Sequence, residues 1–332
     1  MVNLTLYRVD FSLSPRLYDR EVKFFHYSGG LGNNLYGLVS AYTIASILDA
    51  KLTLESKYKF EDLFDLYDYK NQLVKKDKKD KLSEYSTFIY RGSCFKDYGE
   101  MSIQLRNTSL SNIFRSKKII IKTHCPLFQW ILCNEENRRI LKEKGLLTNY
   151  NSSATSEVNG FFYLSSILHR FRINPSILKE ARRRLPLDNG QSVNGMHIRI
   201  GRHRGFQDNS FFLYEDDIPR FAQCAKKFHL EGNHSYVASD SPIAKEYYSN
   251  SSQWKNYIVS STVAKHTEGS TNKTVYSDAF VDMIALSLCS SLVGTWRSSY
   301  TTISGAFQGN IPFYILRGWI GACRENFVST NS

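Results

Sequence analysis

The chain has 332 residues, of which 42% are apolar and 14% aromatic, and it carries a formal net charge of +12. That length exceeds what one hydrophobic core usually organises, so two domains are expected, and the apolar content excludes a disordered chain. No apolar run approaches the roughly 18 residues of a membrane span, and the start MVNLTLYRVDF lacks the charged head and apolar core of a signal peptide.

The sequence therefore reads either as a cytoplasmic protein or as an ER or Golgi luminal domain whose anchor lies outside it. The positive charge implies a polyanionic partner or a soluble basic surface. Its densest run, KKDKKDK from Lys75 to Lys81, is broken by aspartates and reads as a solvated loop, so nucleic acid is not the partner expected here. A nucleotide phosphate needs far fewer charges. The six cysteines, Cys94, Cys125, Cys133, Cys224, Cys289 and Cys323, contain no CxxC pair, which argues against a zinc site and leaves disulfides open.

Val22 to Tyr27 (VKFFHY) reads as a strand that runs through SGGLGNN into a helix from about Leu35 to Ala50. That helix is expected to be amphipathic, with Leu38, Ala41, Tyr42, Ala45 and Leu48 on one face. A strand at Leu52 to Leu54 completes a βαβ unit. The glycine loop then sits at the carboxyl end of the first strand, where open α/β sheets bind ligands. Gly30 and Gly32 permit close backbone approach, and the free amides of a helix start attract anions or hydroxyls. A dinucleotide fingerprint would take the same two glycines but put its third on Leu35, with Glu55 as the ribose-binding acid. A tight turn without a ligand also satisfies the pattern, and no GxxxxGK[ST] phosphate loop occurs.

From Lys57 to about Lys118 helices and loops are expected around the first sheet, followed by a buried strand, KIIIKT, at Lys118 to Thr123. The segment from Phe161 to Arg172 and the helix PSILKEARRRL, opened by Pro175 and stopped by Pro186, read as the connection between the halves. Arg182, Arg183 and Arg184 are expected on a solvated face of that helix. The hinge is expected near Asp188 to Gln191, dividing the chain into domains 1–190 and 191–332.

The second half opens on GMHIRIGRHR, Gly195 to Arg204, where Met196, Ile198 and Ile200 alternate with His197, Arg199 and Gly201 in the period of a strand. An arginine inside a sheet is costly to desolvate unless it meets an anion, and its planar fork matches two oxygens of a phosphate or a carboxylate. Both a phosphate site and a structural arginine–carboxylate pair fit. Asp216 and Asp217 cap a helix carrying Ile218, Phe221, Ala222, Ala225 and Phe228. The strand Ser235 to Ala238 ends in Ser239 and Asp240, with Ser241 and Pro242 opening the next helix. A helix from Asp278 to about Cys289 leads into the strand SLVG and then TWRSSYTT, where Thr295, Ser298 and Ser299 gather at another helix start. Pro312 to Leu316 gives a last strand. Three strand ends thus carry polar groups: Arg199 with Arg202, then Asp240, then Thr295 to Ser299. In a doubly wound sheet such ends share one crevice, which a nucleoside diphosphate could fill.

These motifs resemble those of the superfamily of α1,2-, α1,6- and protein O-fucosyltransferases. GGLGNN at Gly29 to Asn34 is similar to its glycine loop, HIRIGR at His197 to Arg202 to its first motif, VASD at Val237 to Asp240 to its second, and GTWRSSYTTISGAF at Gly294 to Phe307 to its third. The resemblance implies an α/β fold of two Rossmann-like doubly wound domains facing a cleft, in the GT-B manner. It also implies inverting transfer of fucose from GDP-fucose to a glycan or glycoprotein hydroxyl, with the donor held mainly by the second domain, the acceptor on the side of the first, and no cofactor. It places Arg199 on the β-phosphate, Asp240 near the guanosine end, Ser298 and Ser299 on the phosphates, and Asn33 near the fucose and acceptor. Gly30, Gly32, His197, Arg202 and Thr295 complete the expected donor-binding set.

Arg202 stands where the α1,2 families commonly have Asp, which leaves the linkage open. No Asp-x-Asp triplet of the kind that holds a divalent cation occurs, the nearest being Glu215 to Asp217, so no metal is expected and arginines and helix amides would neutralise the diphosphate instead. Asp208, Glu215 and Asp217 are the candidates for the base that deprotonates the acceptor, with the leaving phosphate as an alternative. A transferase of another nucleotide sugar and a catalytically inactive binding protein of the same fold remain as alternatives.

Overall fold

The computed structural model describes residues 19–25, 29–55, 60–64, 86–89, 100–185, 192–203, 206–207, 213–229, 234–250, 256–261 and 273–315. The chain divides into two compact units, Met1–Arg172 and Ile173–Ser332.

The first unit is built on β1 (Glu21–Phe25), α1 (Leu31–Ile47), β2 (Lys51–Glu55), α2 (Phe60–Leu63), β3 (Ser86–Ile89), α3 (Glu100–Asn107), α4 (Leu110–Ile113), β4 (Lys118–Lys122), α5 (Leu127–Ile131), α6 (Glu135–Glu143) and α7 (Ser156–Leu168). Its strands pair in the order β2-β1-β4-β3, all parallel. Val22 and Phe24 are fully buried while their neighbours in β1 are partly exposed, as strand alternation requires. The helix after the glycines starts earlier than its apolar spacing suggests, at Leu31 instead of Leu35, and it is buried on most of its circumference instead of one face. Asn34 explains the early start: its amide donates to Gly30 O at 3.1 Å, and its side-chain Nδ2 donates to Gly29 O and Gly30 O. Burial all round follows from a close approach at Gly37, where an added Cβ would lie 2.4 Å from Thr123 O and 2.8 Å from the Phe24 ring. The segment from Phe161 onward is no connection. Tyr163, on α7, shares a 2.9 Å hydroxyl hydrogen bond with Thr43 of α1 and belongs to the first core.

The second unit contains α8 (Pro175–Arg183), β5 (Val193–Ile198), a hairpin of β6 (Arg202–His203) and β7 (Phe206–Gln207), a 3-10 turn at Glu215–Asp217, α9 (Ile218–Lys226), β8 (His234–Ser239), α10 (Pro242–Asn250), β9 (Tyr257–Val259), α11 (Lys273–Ser287), β10 (Ser291–Thr295), α12 (Ser299–Gln308) and β11 (Phe313–Ile315). Its five strands pair in the order β11-β10-β5-β8-β9, all parallel. Counted from β5, this is the 3-2-1-4-5 order of the Rossmann sheet, in which the chain reverses direction across the gap between the first and fourth strands, here β5 and β10. Met196, Ile198 and Ile200 pack with Phe221, Val237, Ala244 and Val293 in one core cluster.

The boundary between units therefore falls after Arg172, not at the stretch near Asp188, because α8 packs on α11. Arg182 and Arg183 are exposed as expected, but Arg184 is not on a solvated face: its guanidinium pairs with the buried Asp282 of α11. Asp282 also accepts from the Tyr236 hydroxyl and the Ser260 hydroxyl, each at 2.6 Å. Cys125 and Cys224 each take part in a disulfide, whereas Cys133 and Cys289 are free.

Candidate functional site

Arg199 follows the last residue of β5 and is 7% exposed. Its backbone amide donates to Thr295 Oγ1 at 2.9 Å, tying the end of β5 to the end of β10. Its guanidinium Nη1 pairs with Asp240 Oδ2 at the end of β8. The other oxygen of Asp240 accepts from Ile200 N at 3.2 Å, and Ser239 Oγ donates to Ile198 O at 2.7 Å. Three strand ends are thus joined by side chain to backbone bonds at the reversal point of the sheet, the place where α/β proteins hold ligands. Arg199, Asp240 and Thr295, singled out in the sequence, come together there.

The serine pair lies one turn further on. Ser298 is the N-cap of α12, is 4% exposed, and makes no capping hydrogen bond with its hydroxyl; Ser299 opens the helix, and its first turn carries no acidic residue. The leading amides of α12 therefore keep the partial positive charge of a helix start. Gly294 permits this helix to sit so close to β10, since a Cβ there would fall 2.2 Å from Thr301 Cγ2.

His197 is turned to that helix. Its Nδ1 is 2.7 Å from Thr301 Oγ1, and its ring stacks on Tyr300 at 4.5 Å between centroids. Burial first, and the Arg199 charge second, push its pKa down to about 3, so the ring is neutral at physiological pH. His197 holds α12 against β5.

Arg202 lies in β6; its side chain and Asp208 are outside the described residues. Gly201 N donates to Leu213 O at 2.9 Å, which brings the Glu215–Asp217 turn up to the extension of β5. Asp217 Oδ2 accepts from Tyr214 N at 2.9 Å, a local capping role. In the first unit, Gly30 is the N-cap of α1, and Gly32 and Asn33 lie in its first turn instead of in the loop. Gly29 carries the tight bend at φ 108, and a Cβ added to it would lie 2.9 Å from Asn33 Nδ2. This glycine is needed both for its backbone angle and for the room it leaves Asn33.

Asn34 and Arg297 were not among the sequence candidates. Asn34 is a second asparagine beside the first, and only the fold shows that it is the one fully buried. Arg297 sits in the turn between β10 and α12 with φ 59, its guanidinium stacked 4.0 Å from the Trp296 ring centre. Arginine has no preference for such angles, so its local sequence carries no signal for the turn. Among the described residues no group of three or more His, Cys, Asp or Glu side chains is placed to hold a metal ion, and no helix is long and apolar enough to cross a membrane.

Two parallel α/β units, one with a Rossmann strand order and an arginine at its reversal point, define a protein of the Rossmann-like two-domain class. Among solved structures it is similar to a point mutant of Arabidopsis thaliana FUT1 in complex with GDP, at 15% identity and a TM-score of 0.56, over 89% of this chain and 70% of that one. It is also similar to the fucosyltransferase NodZ from Bradyrhizobium, at 14% identity and a TM-score of 0.52, over 86% of this chain and 91% of that one. NodZ α-1,6-fucosyltransferase co-crystallised with GDP matches at a TM-score of 0.53 and 14% identity, with the same 86% and 91% shares. The chain shares its fold with these solved structures. No family model matches the sequence, and no curated protein matches it.

Proposed function

We propose that this protein is an inverting glycosyltransferase that moves L-fucose from GDP-fucose to a hydroxyl of a glycan or glycoprotein without a metal ion. The observation that carries the proposal is the joining of Arg199, Asp240 and Thr295 at the reversal point of the Rossmann sheet, directly ahead of α12. As the bond from fucose to phosphate oxygen breaks, negative charge grows on the diphosphate, and fixed donors around it lower the barrier. Arg199 supplies one of them. A guanidinium has five N–H donors, and the Asp240 contact engages Nη1, so the carboxylate orients the group that meets the phosphate. The amides of α12 and the hydroxyls of Ser298 and Ser299 are the second source. The acceptor's proton goes to a carboxylate, with Glu215 and Asp208 the candidates once Asp217 is spent on the Tyr214 amide, or to the departing phosphate. The disulfide-bonded Cys125 and Cys224 favour an oxidising compartment.

Thermal unfolding in the presence of EDTA tests the donor. GDP is expected to raise the melting temperature where UDP and NAD do not, and transfer from GDP-fucose is expected to be unchanged by the chelator. A strict manganese requirement would defeat the metal-free mechanism. Stabilisation by UDP alone would point to another nucleotide sugar, and GDP binding without transfer to any glycan would point to a binding protein.

Asn33→Ala is expected to lower turnover more than donor affinity, because Asn33 belongs to the first unit, to which we assign the fucose and acceptor side. Steady-state kinetics beside GDP titration would check this. Lost GDP binding with an intact rate at saturating donor would reverse the assigned roles of the units.

A further inference from the structure

The loop between α6 and α7 takes no part in the mechanism above, yet its sequence carries a chemical signal. We infer that Asn151 is the acceptor of an N-linked glycan, a modification independent of the nucleotide site proposed for the second unit.

The chain holds six Asn-x-Ser/Thr triplets whose middle residue is not proline, at Asn3, Asn107, Asn151, Asn233, Asn250 and Asn272, the acceptor pattern for N-linked oligosaccharide. Triplets of this kind also arise from composition alone, so the fold has to choose among them. Asn3, Asn233 and Asn272 lie outside the described residues. Asn107 and Asn250 are the last residues of α3 and α10, and Asn250 Nδ2 already donates to Glu246 Oε1 at 3.3 Å. Asn151 differs from both: it lies outside any helix or strand, and Asn151, Ser152 and Ser153 are all exposed.

The side chain is arranged for substitution. Asn151 Oδ1 accepts from the Ser153 amide at 2.9 Å, the bond by which an asparagine closes a turn on the residue two positions on. It ties the asparagine to the residue whose hydroxyl completes the triplet. Nδ2, the atom that takes the sugar, donates to no group among the described residues, so a glycan there displaces no hydrogen bond. The backbone beneath is held by the buried Asn159 of α7: Asn151 N donates to Asn159 Oδ1 at 2.9 Å, and Asn159 Nδ2 donates to Asn151 O at 2.8 Å. The compartment agrees as well. Cys125 and Cys224 take part in disulfides, which persist in oxidising compartments, and the ER lumen, where such glycans are added, is one of these. In the transfer, Asn151 Nδ2 bonds to the anomeric carbon of an oligosaccharide carried on a polyprenyl diphosphate. The bond from that carbon to the phosphate oxygen breaks, the polyprenyl diphosphate leaves with the electron pair, and Nδ2 gives up one proton to a base of the transferring enzyme.

The test is expression of the full chain behind a cleavable secretory leader in eukaryotic cells, followed by peptide N-glycosidase digestion in heavy-oxygen water and peptide mass spectrometry. The enzyme converts a glycosylated asparagine to aspartate and marks it with the heavy isotope. A mark at position 151 and faster gel mobility after digestion are expected. Ser153→Ala keeps both the Asn151 side chain and the amide that it accepts, and so the turn, but removes the hydroxyl that the acceptor pattern requires; the mark at 151 should be lost entirely. Ser153→Thr and Ser152→Ala leave the pattern intact and should keep it. An unmarked position 151 in the unaltered, folded chain would overturn the assignment, as would a mark that persists in Ser153→Ala. Marks confined to the other triplets would overturn it too. GDP binding by the same preparations reads the proposed function separately, since no outcome at position 151 alters the nucleotide site.

Discussion

Arg199→Lys is expected to remain folded and to lose on the order of a hundred- to a thousandfold in turnover with GDP-fucose, about 3 to 4 kcal/mol of transition-state stabilisation. The size follows from when the interaction matters. A donor on the β-phosphate oxygen gains strength as charge accumulates there, so its removal falls on the rate more than on ground-state binding. Lysine keeps the charge and can still meet Asp240, but it has no planar fork with which to bind the carboxylate and a phosphate at once. The ion pair also makes lysine the cleaner variant. Arg199→Ala would leave the Asp240 side chain, 12% exposed, without its cation, and breaking a buried pair from one side typically costs about 3 to 5 kcal/mol of stability. Arg204→Ala, further along the basic segment, is the control and is expected to cost far less. Near-normal turnover in a folded Arg199→Lys protein would mean that Arg199 serves only as the structural partner of Asp240, and the proposed mechanism would fall.

Asp282→Ala is expected to destabilise the second unit by about 3 to 5 kcal/mol, read as a drop in urea midpoint at constant slope. The Asp282 side chain is 6% exposed and that of its partner Arg184 10%. Removing the carboxylate leaves the nearly buried Arg184 guanidinium with only the more exposed Glu180 and Asp278, at 3.3 and 3.4 Å, and takes from the Tyr236 and Ser260 hydroxyls the acceptor that lies 2.6 Å from each. Four segments meet on this one group: the end of α8, β8, the residue after β9, and α11. Asp282→Asn, which can still accept from one hydroxyl but carries no charge, is expected to fall between wild type and alanine. Arg183→Ala is the contrasting case, because its pair with Glu180 is exposed, with 75% of the arginine side chain accessible, and such surface pairs contribute about 0 to 1 kcal/mol. A loss below about 1 kcal/mol for Asp282→Ala would show that α8 is held by apolar packing alone.

What the sequence determined by itself is local. The period-2 run around Met196 to Ile200, the glycines before α1, and the Ser298 and Pro242 helix starts are written in neighbouring residues, because strand alternation, positive φ and capping are properties of a few adjacent positions. From these came the βαβ rhythm and the three polar strand ends that the fold sets side by side. Where local pattern misled, distant packing was the cause. Apolar spacing put the start of α1 at Leu35, but hydrogen bonds from Asn34 to the glycine carbonyls wind the helix from Leu31. Three arginines in a row read as a solvated face, but Arg184 is claimed by Asp282, 98 residues away, and with it α8 passes to the second unit. His197 shares its strand face with Arg199, and which group its Nδ1 meets, Thr301 104 residues on, is not written in its neighbours. Only the tertiary structure decided these partners, together with the strand order that sets β10 beside β5 and the left-handed turn at Arg297. A side chain's partner is chosen by which elements pack together, and that depends on burying every face of the sheet at once.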